Sequence, residues 1–230
     1  MNAHFAKFCP TISWMADSTV DRVAEELRRA LFDGELEPGT PLREVALAGS
    51  LGVSRSTVRE AVGMLVADGL VDRIPNKGTS VHALTADGIR DICRARLVLE
   101  TAGVDGWDDA SEEARDAVRA ANREYGRLVQ RTSSAQELTA AHLEIHRSLT
   151  ALTGSPRLIS TAGALYAEIR LALAHLDRAR GNTHEQAHAH SDLLGLLEDG
   201  RLADARASLV EHLAGAEQSL LDSVQSSGRP

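Results

Sequence analysis

With 230 residues, 43% hydrophobic, only 3% aromatic and a net charge of −8, the chain can build one large core or two modest ones, packed chiefly by Leu, Ala and Val; that composition suits helices over sheets. Two cysteines, Cys9 and Cys93, exclude a disulfide framework and point to a reducing compartment. No apolar run reaches the length of a membrane span, so the expectation is a cytoplasmic protein with no membrane partner.

Residues 1–16 carry one Lys and an apolar stretch broken by Pro10. They make a poor signal peptide and read as a flexible tail, with Met15 a second candidate start. Ser18 and Asp21 then form a capping-box-like start, and Val20, Val23, Ala24, Leu27 and Leu31 recur at helical spacing up to Asp33-Gly34. Thr40 followed by Pro41 predicts the cap and first position of a second, short helix ending near Gly49. Gly52 permits a tight turn and Ser54 caps a third helix, whose buried stripe is Val58, Ala61, Val62 and Leu65 and which stops at Gly69. LVDRI and TSVHA flank Pro75-Asn76-Lys77-Gly78, the pattern of a hairpin.

Three helices and a hairpin in this order predict a winged helix-turn-helix over residues 17–83. Ser54, Arg55, Ser56 and Thr57 crowd the start of the third helix, where hydroxyls, guanidinium groups and free N–H groups meet phosphates and base edges. Arg59 lies one turn on, suited to a bidentate contact with guanine; Lys77 tips the wing. The alternative is that these arginines are ordinary solvated helix charges. The acidity of the whole chain is no veto. Residues 18–83 hold 8 Lys+Arg against 10 Asp+Glu, whereas 84–230 hold 16 against 22. The first part can therefore present a local basic face.

The run from Val23 to Val81, with PGTPLREVALAGSLGVSRSTVREAVGMLVADGLV and PNKGTSV, closely resembles the GntR family of bacterial winged-helix transcription regulators. The resemblance implies DNA contacts from Arg43, Ser54, Arg55, Ser56, Thr57 and Arg59, with Lys77 and Gly78 in the wing. Ser56-Thr57 departs from the Thr-Pro that many relatives carry.

Residues 84–230 read as six helices with no strand signal. The starts fall at Thr85 or Asp87, near 111, at Ser134, Pro156, Asn182-Thr183 and near 201; the fourth helix is predicted to continue to about Arg178. The fold expected is thus mainly α: a winged helix-turn-helix followed by an all-α bundle, whose interior is a natural home for a ligand. Of nine histidines, His142, His146, His190 and His212 fall on inward faces, while His188 is expected to be solvated. Periodicity leaves two readings open, satisfied core imidazoles or a shared metal. HLEIH is not the protease motif, because Glu144 points about 200° from His142 around a helix. Catalysis is not expected; a metal-dependent hydrolase with a DNA-binding module and a metal sensor are the alternatives.

HLEIHRSLTALTGSPRL and AHSDLLGLLEDGRLADARASLVEH look like signature segments of the effector-binding domain of the FadR-like GntR branch. That resemblance implies a metal held by His142, His146, His190 and His212, with His142 standing where Asp is usual. Ser155, where Asn often follows the Gly, is a second departure. An all-imidazole set favours zinc or nickel among divalent transition metals. The resemblance further implies a small organic acid effector, a homodimer and a palindromic DNA operator, most often for repression. Arg96, before a Leu-Glu pair in RARLVLE, is the candidate effector anchor; a surface or interhelical salt bridge is its other reading.

Overall fold

The computed structural model describes residues 18–75, 77–131, 133–174 and 183–227, with side chains as far as residue 222. The tail, Asn76 at the wing tip and the end of the helix expected to reach Arg178 lie outside the described residues.

Helix α1 (Thr19–Phe32) begins with a complete capping box, Ser18 accepting from the Asp21 N–H while Asp21 accepts from Ser18. Helix α2 (Glu44–Leu51) starts later than Thr40-Pro41 suggests, with Arg43 as its N-cap residue. Tertiary pairing outweighs the local helix signal here. Leu42 N–H donates to the Thr79 carbonyl, Gly39 N–H to that of Val81, and Pro41 bridges Ser80, so after the turn at Gly39 residues 40–42 run alongside the wing. The helix also runs past Gly49, which faces no steric demand, and ends at Gly52, whose φ of 65° is left-handed. Helix α3 (Arg55–Ala67) is capped by Ser54. Strands β1 (Val71–Ile74) and β2 (Gly78–Val81) pair antiparallel, Val71 opposite Val81 and Ile74 opposite Gly78.

Leu27, Leu31, Val58, Val62, Leu65, Leu70 and Val81 are all buried in one core. Each buried Leu or Val contributes about 1.5–3 kcal/mol. One member of this core, Leu171, comes from far along the chain.

Among the described residues six helices follow: α4 (Ala86–Asp105), α5 (Glu112–Val129), α6 (Ala135–Ala151), α7 (Pro156–Ala174), α8 (Thr183–Glu198) and α9 (Leu202–Ser227). Five close a ring in which α4 packs on α6, α6 on α5, α5 on α8, α8 on α9 and α9 on α4. Helix α7 lies outside the ring, against α6 and α4 on one side and α1 on the other. The ring is filled at one end by Val104, Trp107, Leu149, Leu193, Leu197 and Leu209. At Gly103 the α4 and α6 backbones meet; a Cβ there would lie 1.9 Å from the Leu149 carbonyl oxygen. Only glycine allows that approach.

Candidate functional site

Two clusters carry the chemistry. The first is at the N-terminus of α3. Ser54 Oγ accepts from the Thr57 N–H at 3.1 Å, and the Ser56 and Thr57 hydroxyls each lie 2.8 Å from it. Ser54, Arg55, Ser56 and Arg59 are exposed, as are Arg43, Lys77 and Gly78. Arg59 is not free. Its guanidinium forks onto Glu44 at the start of α2, Nε to Oε1 at 3.0 Å and Nη2 to Oε2 at 2.8 Å. That hydrogen bonding holds the Glu44 carboxyl below its usual range, with smaller help from Arg59, Arg55 and Arg73. Glu44 therefore sits amid three arginines, one of which, Arg73 on β1, drew no notice in the sequence. Glu44 thus orients one guanidinium among several cationic side chains at this face.

The second cluster fills the ring, and every ring helix contributes to it. His142 and His146 stand one turn apart on α6, His190 projects from α8 and His212 from α9. One nitrogen from each lies within 4.8 Å of the other three. His146 Nε2 is 3.2 Å from that of His142 and 3.3 Å from those of His190 and His212. Helix α5 supplies Tyr125, whose ring stacks on His142 at 5.3 Å between centroids and whose hydroxyl donates to Gln186. Helix α4 supplies the buried pair Arg96 and Glu100, with Arg96 Nε donating to Glu100 Oε1 at 2.8 Å.

The hydrogen bonds assign protons. His146 Nδ1 lies 2.7 Å from a Glu100 oxygen, and His190 Nδ1 2.7 Å from the Gln186 carbonyl. A carbonyl can only accept, and so can the Glu100 carboxylate; burial pushes the Glu100 carboxyl up, and the Arg96 guanidinium on its other oxygen counters that. With Glu100 ionised, both Nδ1 atoms carry hydrogen and both Nε2 atoms present lone pairs. Those lone pairs face each other at 3.3 Å. A proton between them is disfavoured, because burial holds both imidazoles below their ordinary range, with the Arg96 charge adding to it. A metal ion answers the same need. Two imidazole nitrogens on one tetrahedral zinc stand about 3.3 Å apart, given bonds of about 2.0–2.1 Å. The donor set fits a borderline-soft divalent ion.

Beside the cluster is a cavity of about 770 Å³ lined by His142, His146, His212, Arg96, Ile169 and Leu173, among others. Arg96 is 3% exposed. Its Nε is spent on Glu100, and among the described residues nothing accepts from its Nη nitrogens. His188 is exposed and Glu144 pairs with Arg147 outside the bundle. The sequence reading left no carboxylate near the histidines, and Glu100 corrects it. Both its oxygens are engaged, Oε1 also accepting from the Tyr166 hydroxyl at 3.1 Å, so it supports a neighbour and is no free base.

Residues 19–81 match the family described as bacterial regulatory proteins of the gntR family, and residues 91–215 match the FCD domain. The Nta operon transcriptional regulator of Aminobacter aminovorans is 29% identical over 192 residues, covering 82% of this chain and 88% of that one. The gluconate operon transcriptional repressor of Bacillus subtilis is 42% identical over 89 residues, 38% of this chain and 36% of that one. Among solved structures, a transcriptional regulator GntR from Rhodococcus sp. RHA1 superposes with a TM-score of 0.79 at 29% identity, covering 90% of this chain and 99% of that one. These are regulators and not enzymes. No described helix is long and apolar enough to cross a membrane. The chain belongs to the GntR family of bacterial transcription regulators and carries an FCD domain behind its winged helix.

Proposed function

We propose that the chain is a cytoplasmic, dimeric repressor released from DNA by a small organic acid that binds beside a metal ion. Residues 17–83 form the reading head, with Arg55, Arg59, Ser56, Thr57 and Ser54 entering the major groove, and Arg43, Lys77 and Gly78 meeting the backbone and adjoining groove. A dimer reads a palindromic operator whose half-sites lie about one helical turn, or a multiple, apart. Residues 84–230 form the sensing part. His142, His146, His190 and His212 hold zinc or nickel, which supplies a Lewis-acidic positive charge towards an anion. Arg96 offers its two Nη nitrogens, which no described residue accepts from, to the same carboxylate.

The observation that carries this reading is the pair of inward lone pairs 3.3 Å apart on His146 and His190, buried next to a half-engaged arginine at a cavity wall. Purified protein is expected to contain zinc or nickel at about one ion per chain. Fluorescence anisotropy on operator DNA should register release by a small carboxylate only when the metal is loaded. His142→Asp should retain metal and weaken the acid, since a carboxylate ligand cancels one positive charge. Equal carboxylate affinity with and without metal would remove the reading. Release by zinc alone would favour a metal sensor instead.

A further inference from the structure

We infer that Glu100 is the positioning residue that sets the tautomer of His146, and that it can do so because its two oxygens face different partners. Glu100 is fully buried on α4. Oε1 takes two donors, Arg96 Nε at 2.8 Å and the Tyr166 hydroxyl at 3.1 Å. Oε2 faces His146 Nδ1 at 2.7 Å. An ionised carboxylate accepts at both ends, so His146 must donate from Nδ1 and turn its Nε2 lone pair into the histidine cluster. His190 gets the same instruction from a backbone carbonyl. His142 and His212 get none from the described residues, since their ring nitrogens hydrogen-bond only to His146. The His146 Nε2 atom also lies 3.2–3.3 Å from the Nε2 atoms of the other three rings. Its orientation therefore decides whether the cluster has a central lone pair or a central N–H.

The near-isosteric change Glu100→Gln removes the counter-charge to Arg96 as well, so the tautomer of His146, which loss of charge alone would not reverse, is the readout that separates the two roles. A carboxamide accepts at one end and donates at the other. Arg96, which can only donate, holds the amide oxygen at the Oε1 position, with the single Tyr166 hydroxyl hydrogen shared between that oxygen and the His146 carbonyl. The amide NH2 is then left facing His146 Nδ1, which must accept. The His146 proton moves to Nε2 and points into the cluster, where it blocks coordination. Size and shape are nearly unchanged; one negative charge opposite Arg96 is lost and the direction of one hydrogen bond reverses.

The inference rests on the proposed metal role of the cluster for its affinity readout alone, so the test has two arms. In metal-free, 15N-labelled wild-type protein, long-range imidazole spectra assigned with His146→Gln should report His146 as the Nδ1–H tautomer. An Nε2–H tautomer there overturns the inference, whether or not any variant folds. In the second arm zinc affinity is measured by chelator competition. Glu100→Gln should show the Nε2–H tautomer and bind zinc about 10–100-fold more weakly. Tyr166→Phe leaves Arg96 holding Oε1, and should keep both the tautomer and the zinc affinity. Wild-type zinc affinity in a folded Glu100→Gln protein overturns the inference. A wild-type protein that binds neither zinc nor nickel sinks the proposed function, while the spectra still decide the role of Glu100.

Discussion

Replacing Gly103 with Ala pits two effects of opposite sign against each other. Within a helix the change gains about 1 kcal/mol in propensity. Against that, the new Cβ would stand 1.9 Å from the Leu149 carbonyl oxygen, where a carbon–oxygen contact settles near 3.3 Å. Both partners are helix backbone, so no side chain can swing aside, and α4 and α6 must part by about 1.4 Å. Overpacking of this kind costs about 1–3 kcal/mol, and more where backbone must move. A net loss of about 3 kcal/mol is expected, a fall of roughly 6–12 °C in melting temperature for a chain of this size. The separation also acts one turn away, where Glu100 on α4 and His146 on α6 are 2.7 Å apart; zinc affinity should fall with stability. Gly126 on α5 is the control, because a Cβ added there would meet no heavy atom within 4 Å, and Gly126→Ala should match or exceed wild-type stability. Calorimetric melting with and without zinc checks both. A Gly103→Ala protein as stable as wild type would mean that α4 and α6 do not meet this closely.

Burial holds His142, His146, His190 and His212 below their ordinary range, His212 at about 4. Unfolded histidines titrate near 6.5, so from there down to about 4 the unfolded chain binds more protons, and the metal-free protein should lose stability as pH falls. The slope is at most about 1.4 kcal/mol per pH unit for each histidine, and the contribution is complete above pH 6.5; urea midpoints unchanged between pH 7 and 5 would contradict it. Arg59→Ala should weaken operator binding about ten- to a hundredfold and relax preference at one base pair, read by anisotropy on single-base operator variants; unchanged affinity in a folded protein would take Arg59 out of the interface. Leu171→Ala should cost about 2–5 kcal/mol, measured by urea unfolding, and a loss below about 1 kcal/mol would argue against its burial in the helix-turn-helix core.

The elements that sequence periodicity locates well are those whose signal is local. Ser18, Ser54, Ser111 and Ser134 each cap a helix within three residues of their partners, and the four inward histidines lie on apolar stripes. What it misses is set by contacts distant in sequence. Thr40-Pro41 carries the chemistry of a helix start, yet pairing with β2 overrides it. The Arg59–Glu44 fork spans fifteen residues, and nothing local announces it. Arg96 and Glu100 at i and i+4 look like a surface ion pair. The available signal is their position, since both fall on the stripe of Ile89, Ile92, Cys93 and Leu99, where a charge pair has no solvent to face.

Helix α7 binds the two halves into one thermodynamic object. Tyr166 and Ile169 belong to the bundle interior, while Leu171 completes the core of the reading head and Arg170 stacks over Phe32 of α1 at 4.1 Å. From Tyr166 to Leu171 is about 7.5 Å along a single helix, with no linker between to absorb a difference in stability. Residues 17–83 expressed alone would have a Leu-sized hole in their core, although the boundary near residue 84 looks clean in the sequence. Heat should accordingly melt reading head and bundle in one transition. Any ligand that tightens the bundle then raises the melting temperature of the DNA-binding half by the same mass action, though it never touches it.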